Sequence, residues 1–175
     1  SLIAEYARER RLYLPIQAVP KLVVDAYLSA EDKNFYSHQG VDMTGTLRAM
    51  RNNFINAGKN HSLAGGSTIT QQVVKNFLLT NERSLDRKIK EAILALRIEK
   101  AFSKDRILEL YLNEIWLGYR SFGVGAAAYN YFGKALPDLT LAECAFLASL
   151  PKGPDNYHPI RNKAKAMAVL VAASP

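Results

Sequence analysis

Cysteine and long apolar runs are scarce in this sequence, and each shortage excludes a class of protein. The single cysteine, Cys144, cannot form an internal disulfide, so the fold is not held by disulfide bonds. Because it lies in the apolar run 141–150, we expect a buried thiol that serves as a small core residue. No run reaches the ~18–20 apolar residues of a membrane span. No signal peptide, internal repeat or low-complexity segment is visible.

The composition indicates a globular domain with an anionic partner. The chain has 175 residues, of which 49% are hydrophobic, so it can bury a core and is not disordered. Its formal net charge of +7 favours nucleic acid, phospholipid headgroups or a phosphorylated substrate. Lys and Arg are spread along several predicted helices instead of clustering with aromatic residues, which weakens the case for nucleic acid.

Apolar residues recur mostly with helical spacing, and few segments alternate, which predicts an all-α domain. Thr140 and Glu143 have the spacing of a capping box at the start of one helix. Ser1–Leu14 is predicted to be an extended arm, and Pro151, Pro154 and Pro159 to form a turn before a last basic helix. The helices are predicted over residues 20–34, 43–57, 68–79, 84–102, 103–113, 126–132 and 141–150.

Glu31 and Asp32 follow an apolar, helix-like run and precede two aromatic residues, a histidine and a glycine. A carboxylate that leaves an apolar helix end can be partly desolvated, which raises its pKa and makes it a better general base near neutral pH. The alternative is an acidic helix end that faces water, as most charged residues do.

A second candidate carboxylate, Glu91, shares one side of the helix 84–102 with two cations, Arg87 and Lys88. Leu94 and Ile98 lie on the same side, so we expect this group of charges to line a cleft. The alternative is an intrahelical salt bridge on a wet face, worth about 0.2–0.5 kcal/mol. We predict that the core stripe of this helix is the opposite arc, formed by Leu85, Ile89, Ala92, Ile93 and Leu96.

Gly65 and Gly66 precede another helix, which Ser67 or Thr68 is predicted to cap. The backbone N–H groups of a helix N-terminus favour an anion, and Gln72 and Lys75 share a face of this helix. The pattern lacks the glycine spacing of a Walker loop, and a double glycine alone is more often a hinge. Two carboxylates with phosphate-type donors suggest chemistry at a glycosidic carbon with an anionic leaving group, either transfer or hydrolysis.

At these residues the sequence resembles the peptidoglycan glycosyltransferase domain of class A penicillin-binding proteins and their monofunctional relatives, glycosyltransferase family 51. Five matching stretches occur in the family's order and span about Val19 to Pro159. They are residues 31–40 (EDKNFYSHQG), 65–72 (GGSTITQQ), 87–91 (RKIKE), 104–113 (KDRILELYLN) and 125–134 (GAAAYNYFGK).

The resemblance implies an all-α fold with a lysozyme-like helical lobe and a smaller membrane-associated lobe. It implies one glycosyltransferase domain over residues 1–175, with motifs over about 19–160 and a tail, 161–175, that departs from the family's pattern. The implied reaction is polymerisation of lipid II into glycan strands with release of undecaprenyl pyrophosphate. No cofactor is obligatory, and Mg²⁺ or Mn²⁺ near Glu91 is left open.

The resemblance also assigns roles to individual residues. Glu31 matches the general base, and Glu91 matches the second essential carboxylate, which we expect to face Glu31 across a groove. The residues that match contacts to the diphosphate are Lys75, Arg87 and Lys88. Those that match the cleft lining are Gln72, Thr68 and Ser67, and those that support the first motif are Asp32, Phe35 and His38.

The implied partners are lipid II, the growing glycan strand, the membrane surface and other cell-wall synthesis proteins, without nucleic acid. The basic amphipathic helix 43–57 is predicted to rest on anionic lipid; packing in the core is the alternative. The expected location is the outer, periplasmic face of the bacterial cytoplasmic membrane. With no membrane helix before Ser1 and no transpeptidase domain after Pro175, we expect an ectodomain fragment.

Two other functions remain open at this point. A lysozyme-like hydrolase or lytic transglycosylase would cut glycan with one catalytic glutamate, but it has no use for Lys75, Arg87 and Lys88 near its site. A non-catalytic module that binds anionic lipid or nucleic acid would keep its activity when Glu31 is replaced by glutamine.

Overall fold

The computed structural model of the chain describes residues 13–45, 47, 66–78 and 85–153. The chain divides into two compact units. The terminal unit joins Ser1–Lys33 to Leu108–Pro175, and the central unit is Asn34–Ile107. Within the described ranges, no helix has the length and apolar character that crossing a membrane requires.

The described residues are built from helices, and the all-α prediction is confirmed. No strand is assigned in this part of the chain, where an isolated bridge pairs Trp116 with Phe122. The membrane association of a smaller lobe stays a prediction. The helices are α1 (Lys21–Glu31), α2 (Ile69–Leu78), α3 (Leu85–Ala101), α4 (Lys104–Glu114), α5 (Val124–Phe132) and α6 (Leu141–Ser149).

Helix positions agree with the sequence predictions to within a few residues. Helix α1 ends three residues earlier than expected, because Asp32 leaves the helical conformation with φ −158° and ψ 78°. Residues 43–45 and 47 are helical. The rest of the predicted helix 43–57, the arm before residue 13, and the segment from Pro154 to the last basic helix lie outside the described residues.

The terminal unit has an apolar interior formed largely by α1, α5 and α6. Helix α1 packs on α6, and the Tyr27 hydroxyl donates to the carbonyl of Leu147 at 2.9 Å. The Phe146 ring meets Tyr131 and Phe132 edge-on, with centroids 5.5 and 5.6 Å away. Such interlocking aromatic pairs add to the free energy gained by burial.

Two sequence predictions for α6 are confirmed. Thr140 Oγ1 accepts from the Glu143 N–H at 3.3 Å, while Glu143 Oε2 accepts from the Thr140 N–H at 2.8 Å, which is the predicted capping box. Cys144 is a free, buried thiol, as expected of a small core residue.

A segment before α1 is held by two polar side chains of α4. Glu109 accepts from the Tyr13 hydroxyl and, at 2.8 Å, from the Ile16 N–H. Asn113 bonds both backbone groups of Leu14, at 2.7 and 2.8 Å. Glu109 and Asn113 are both buried, so these contacts satisfy groups whose burial would otherwise be unfavourable.

The central unit packs α2 on α3 and starts α2 with a capping box. Thr68 Oγ1 accepts from the Gln71 N–H at 3.1 Å, and Gln71 Oε1 accepts from the Thr68 N–H at 3.0 Å. Of the two predicted caps, Thr68 is therefore the one that caps the helix. Its hydroxyl also donates to the carbonyl of Gly40 at 2.6 Å.

The predicted core stripe of α3 is wrong. Leu85, Ile89, Ile93 and Leu96 are 80%, 53%, 47% and 45% exposed, and Ala92 is half-buried, whereas Glu91 and Ala95 are buried. Apolar residues lie on two arcs of this helix, so helical spacing alone could not tell which arc packs against the protein. The arc that carries Glu91 faces inward.

Candidate active site

Glu31 is the last residue of α1, in the terminal unit. The residue is half-buried, and its Oε1 atom is buried. Lys152 donates to the carbonyl of the preceding residue, Ala30, at 3.1 Å, where a cation complements the helix C-terminus. The structure thus agrees with the prediction that this carboxylate leaves an apolar helix end partly shielded from water.

The negative charge of Glu31 acts on the hydroxyl groups of two buried tyrosines. Tyr27 and Tyr111 make an edge-to-face pair with centroids 6.1 Å apart. Burial, followed by the negative charge of Glu31, holds the pKa of both hydroxyls well above its ordinary value. The Tyr111 hydroxyl is buried and finds no hydrogen-bond partner among the described residues.

Asp32 follows Glu31 and is 6% exposed, so it is not a solvated acid at a helix end. Its backbone N–H donates to the carbonyl of Leu28 at 3.0 Å, which closes the last turn of α1. Acidic side chains are seldom buried, so the end of α1 differs from an ordinary solvent-facing helix terminus.

Ser67, Lys88 and Glu91 form a contiguous polar cluster in the central unit. Lys88 Nζ lies 2.5 Å from Glu91 Oε1 and 2.6 Å from Ser67 Oγ. The Glu91 side chain is 2% exposed, whereas that of Lys88 is 45% exposed. The intrahelical pair considered from the sequence is therefore present, but its carboxylate is buried instead of lying on a wet face.

The cluster retains the capacity to bind a further group. An ammonium group has three N–H donors, and Ser67 and Glu91 account for two of those on Lys88. Glu91 Oε2 is buried and has no hydrogen-bond partner in the described part of the chain. Because an unsatisfied buried carboxylate oxygen is unfavourable, this arrangement suits a ligand that supplies a donor to Glu91 and an anionic oxygen to Lys88.

The other predicted diphosphate contacts lie on α3, which carries Lys88 and Glu91, and on α2, which begins two residues after Ser67. Arg87 precedes Lys88 on α3, is half-buried and has a buried Nε atom. Lys75 is an exposed residue in the last turn of α2, and Gln72 is half-buried one turn earlier.

Phe35 and His38 belong to a loop, residues 34–40, which packs on itself. The fully buried Phe35 ring meets His38 edge-on, with centroids 6.0 Å apart. His38 Nδ1 accepts from the Gly40 N–H at 3.0 Å, so a neutral ring carries its proton on Nε2.

The described side chains do not make a metal site. No group of three or more His, Cys, Asp or Glu residues in the described ranges could hold a metal ion. The sequence left open a divalent cation at Glu91. One oxygen of Glu91 already accepts from Lys88, and the positive charge of Lys88 would repel a metal cation bound beside it.

The predicted site residues divide between the units. Glu31 and Asp32 belong to the terminal unit, and Phe35, His38, Ser67, Thr68, Gln72, Lys75, Arg87, Lys88 and Glu91 belong to the central unit. That Glu31 faces Glu91 across a groove stays a prediction.

Sequence reasoning did not single out a buried polar group of Thr70, Glu99 and Lys104 in the central unit. Thr70 Oγ1 and Lys104 Nζ both donate to Glu99 Oε1, at 2.6 and 2.7 Å. Only the position of Lys104 at the head of a family motif could have indicated it, because the contacts join residues far apart in sequence.

Comparison with known proteins identifies close relatives over nearly the whole chain. Penicillin-binding protein 1A of Rickettsia conorii is 54% identical over 167 residues, which are 95% of this chain and 21% of that protein. Penicillin-binding protein 1A of Escherichia coli K12 is 48% identical over 95% of this chain and 19% of its own. A crystal structure of penicillin-binding protein 1A from Haemophilus influenzae aligns with 95% of this chain and 15% of that chain, at 26% identity and a TM-score of 0.49.

The chain thus spans about a fifth of the length of the curated relatives that it matches. The sequence model described as Transglycosylase matches residues 1–172. These matches cover both units, including the end of α1 and the cluster on α3. This chain therefore belongs to the Transglycosylase family.

Proposed function

We propose that this chain is a peptidoglycan glycosyltransferase domain that polymerises lipid II into glycan strands. One structural observation carries the proposal: the buried Glu91 carboxylate, bonded by Lys88 on one oxygen, retains a second oxygen for a ligand. A half-satisfied carboxylate beside a partly exposed ammonium group suits a substrate that carries both hydroxyl groups and a diphosphate. Membership of the Transglycosylase family supports the reaction class.

In the proposed reaction Glu31 acts as the general base. Its carboxylate takes the proton from a sugar hydroxyl of the acceptor, and that oxygen forms a bond to the anomeric carbon of the donor. The bond from this carbon to the diphosphate oxygen breaks, its electron pair leaves with undecaprenyl pyrophosphate, and the configuration inverts. Glu31 is half-buried, and its charge adds to burial in raising the pKa of the Tyr27 and Tyr111 hydroxyls, so the proposed base lies beside two aromatic side chains.

The cations of the central unit are proposed to stabilise the diphosphate as it leaves. As the glycosidic bond breaks, negative charge grows on the diphosphate, and fixed cations stabilise it more than they stabilise the bound substrate. Lys75, Arg87 and Lys88 are the proposed contacts, with Ser67 orienting Lys88. Gln72 is proposed to line the cleft, while Thr68 holds the start of α2 and the loop 34–40.

We place this reaction at the outer face of the bacterial cytoplasmic membrane, where lipid II and the growing strand would be the partners. Met43 and Leu47, four residues apart, are 75% and 71% exposed. Exposed apolar side chains one helical turn apart suit contact with lipid at the place where a polyprenyl chain enters. Other cell-wall synthesis proteins are further proposed partners.

The proposal is tested by incubating the protein with labelled lipid II in detergent and measuring strand length. The protein should form long strands, and Glu31→Gln should lower the rate by about 100-fold to 10,000-fold, because the base is lost. Asp25→Asn is the matched control on α1, since Asp25 is exposed and pairs only across the surface with Lys21. This control should polymerise at the normal rate.

Three outcomes would contradict the proposal in different ways. Short fragments released from preformed glycan, without strands from lipid II, would point to a glycan-cleaving enzyme. Full activity of Glu31→Gln on lipid II would remove Glu31 as the base, and binding to anionic vesicles without any turnover would point to a non-catalytic module.

A further inference from the structure

A half-buried lysine in the central unit joins three helices to the loop that carries Phe35 and His38. Lys104 begins α4 and has a side chain that is 20% exposed. Its Nζ lies 2.7 Å from Glu99 Oε1 and 4.5 Å from the centroid of the Phe35 ring. Both contacts favour a cation: one is an ion pair, and the other is a cation–π contact with a fully buried ring.

Glu99 extends this contact to the other helices. Its side chain is 8% exposed, and the oxygen that accepts from Lys104 also accepts from the Thr70 hydroxyl, in the first turn of α2, at 2.6 Å. Glu99 itself lies near the end of α3. One carboxylate therefore connects α2, α3 and α4.

The loop 34–40 is fitted closely to the same place. A Cβ atom on Gly40 would lie 2.8 Å from the carbonyl oxygen of Ala95 and 3.1 Å from Glu99 Cγ, and φ at Gly40 is +101°. Only glycine can adopt this conformation at so close an approach. Two hydrogen bonds add to the fit: Thr68 Oγ1 to the Gly40 carbonyl at 2.6 Å, and the Tyr36 hydroxyl to Asp105 at 3.0 Å.

Stability alone does not explain the largely buried pair of Lys104 and Glu99, whose side chains are 20% and 8% exposed. A buried ion pair is weak evidence for stability, because desolvation offsets its attraction and apolar replacements of similar volume are often neutral or stabilising. The pair instead fixes the relative positions of neighbouring elements. It holds Phe35 and the first turn of α2 at set distances from the ammonium group of Lys104. Those elements carry residues that the proposed reaction uses.

We propose that Lys104 is a positioning residue for glycosyl transfer, which holds the loop 34–40 on the helices that carry Lys75, Arg87, Lys88 and Glu91. This inference rests on the proposed function for its effect on rate. It concerns only contacts inside the central unit, so a structural readout can test it independently of turnover.

The test compares Lys104→Met, Lys104→Arg and the double variant Lys104→Met/Glu99→Leu. Lys104→Met should lower kcat for lipid II polymerisation by about 10-fold or more, with little change in KM, because small misplacements of reacting groups are costly. Lys104→Arg should recover most of kcat, since guanidinium keeps both the ion pair and the contact with the ring. The double variant should keep the normal Tm yet remain slow. Lys100→Met, an exposed lysine of the last turn of α3, is the control and should behave as the unchanged protein.

Hydrogen exchange of the amides in residues 34–40 supplies the readout that needs no substrate. Exchange should rise in Lys104→Met and in the double variant and return to normal in Lys104→Arg. The inference would be overturned if Lys104→Met showed unchanged hydrogen exchange and full kcat. It would also be overturned if the double variant recovered both Tm and kcat, because the loss of rate in Lys104→Met would then come from lost stability. Absence of strands with the unchanged protein would instead contradict the proposed function, and exchange would still decide the role of Lys104.

Discussion

The terminal and central units bury different kinds of side chain. In the terminal unit α5 and α6 bury alanines, Leu147 and Phe146, and the polar groups of Glu109 and Asn113 are satisfied by backbone and Tyr13. In the central unit α3 turns Glu91 inward and leaves Leu85 80% exposed. Helices α5 and α6 bury mainly apolar residues, as is usual, whereas α3 reverses this distribution.

This difference singles out the inward face of α3 as a candidate for function. A buried carboxylate whose second oxygen lacks a partner in the described residues is unfavourable for folding. Natural sequences depart from local consistency chiefly at functional sites. The inward face of α3, with Lys88 and Glu91, is therefore the face that we propose takes part in the reaction.

The largest stability effect should separate the two units directly. Leu147→Ala removes a fully buried side chain from α6 and should lower the free energy of unfolding by about 2–5 kcal/mol. Ile93→Ala, on the exposed arc of α3, should change it by only about 0.5 kcal/mol. Urea unfolding followed by circular dichroism measures both, and equal losses would mean that this arc of α3 is core after all.

A smaller effect should depend on pH and belongs to the central unit. Hydrogen bonds from the Gly45 N–H, Asn34 and Thr44 lower the pKa of Asp42 from 3.8 to about 2. Because the folded-state pKa is depressed, this stabilisation is present above pH 3.8 and is lost as pH falls towards about 2. Asp42→Ala should therefore cost about 1 kcal/mol at neutral pH, as loss of a helix cap does.

The unfolding midpoints of Asp42→Ala and the unchanged protein should converge between pH 3.8 and about 2. Leu147→Ala serves as the control, since this substitution removes no titrating group. Its unfolding midpoint should stay below that of the unchanged protein over the same pH range. A deficit of Asp42→Ala that stays constant down to pH 2 would contradict the assigned role of its charge.

The smallest effect compares two buried hydroxyls within the terminal unit. Tyr27→Phe removes a hydrogen bond to the Leu147 carbonyl and should cost about 1 kcal/mol. Tyr111→Phe removes a buried hydroxyl with no hydrogen-bond partner in the described residues, so stability should change by about 0.5 kcal/mol or less. Thermal unfolding distinguishes the two, and a larger loss for Tyr111→Phe would reveal a partner for its hydroxyl.

Local signals in the sequence predicted local structure well. The capping box of Thr140 and Glu143 and the buried Cys144 were predicted because each depends on spacing within one helix. A cap of α2 by Ser67 or Thr68 was predicted for the same reason, and Thr68 provides it; the second bond of Thr68, to Gly40, was not predicted.

Contacts between distant segments could not be predicted in this way. Helical spacing gives α3 two apolar arcs but does not say which one packs on α2, and the wrong arc was chosen. The bond from Lys88 joins α3 to Ser67, which lies before α2, and the group of Thr70, Glu99 and Lys104 joins three helices. Charged residues are usually exposed, so the residues adjacent to Glu99 and Lys104 in the sequence did not indicate that these two side chains are largely buried.

The central claim is that the inward carboxylate of α3 takes part in the reaction, and one pair of variants tests it most directly. Glu91→Gln keeps the shape of the side chain, and Asp86→Asn makes the same charge change on the same helix at a side chain that is 75% exposed. With labelled lipid II, Glu91→Gln should polymerise about 100-fold more slowly or worse, because it removes a charge that positions Lys88 and the substrate, while Asp86→Asn keeps its rate. Long strands formed at the normal rate by a folded Glu91→Gln protein would contradict the claim.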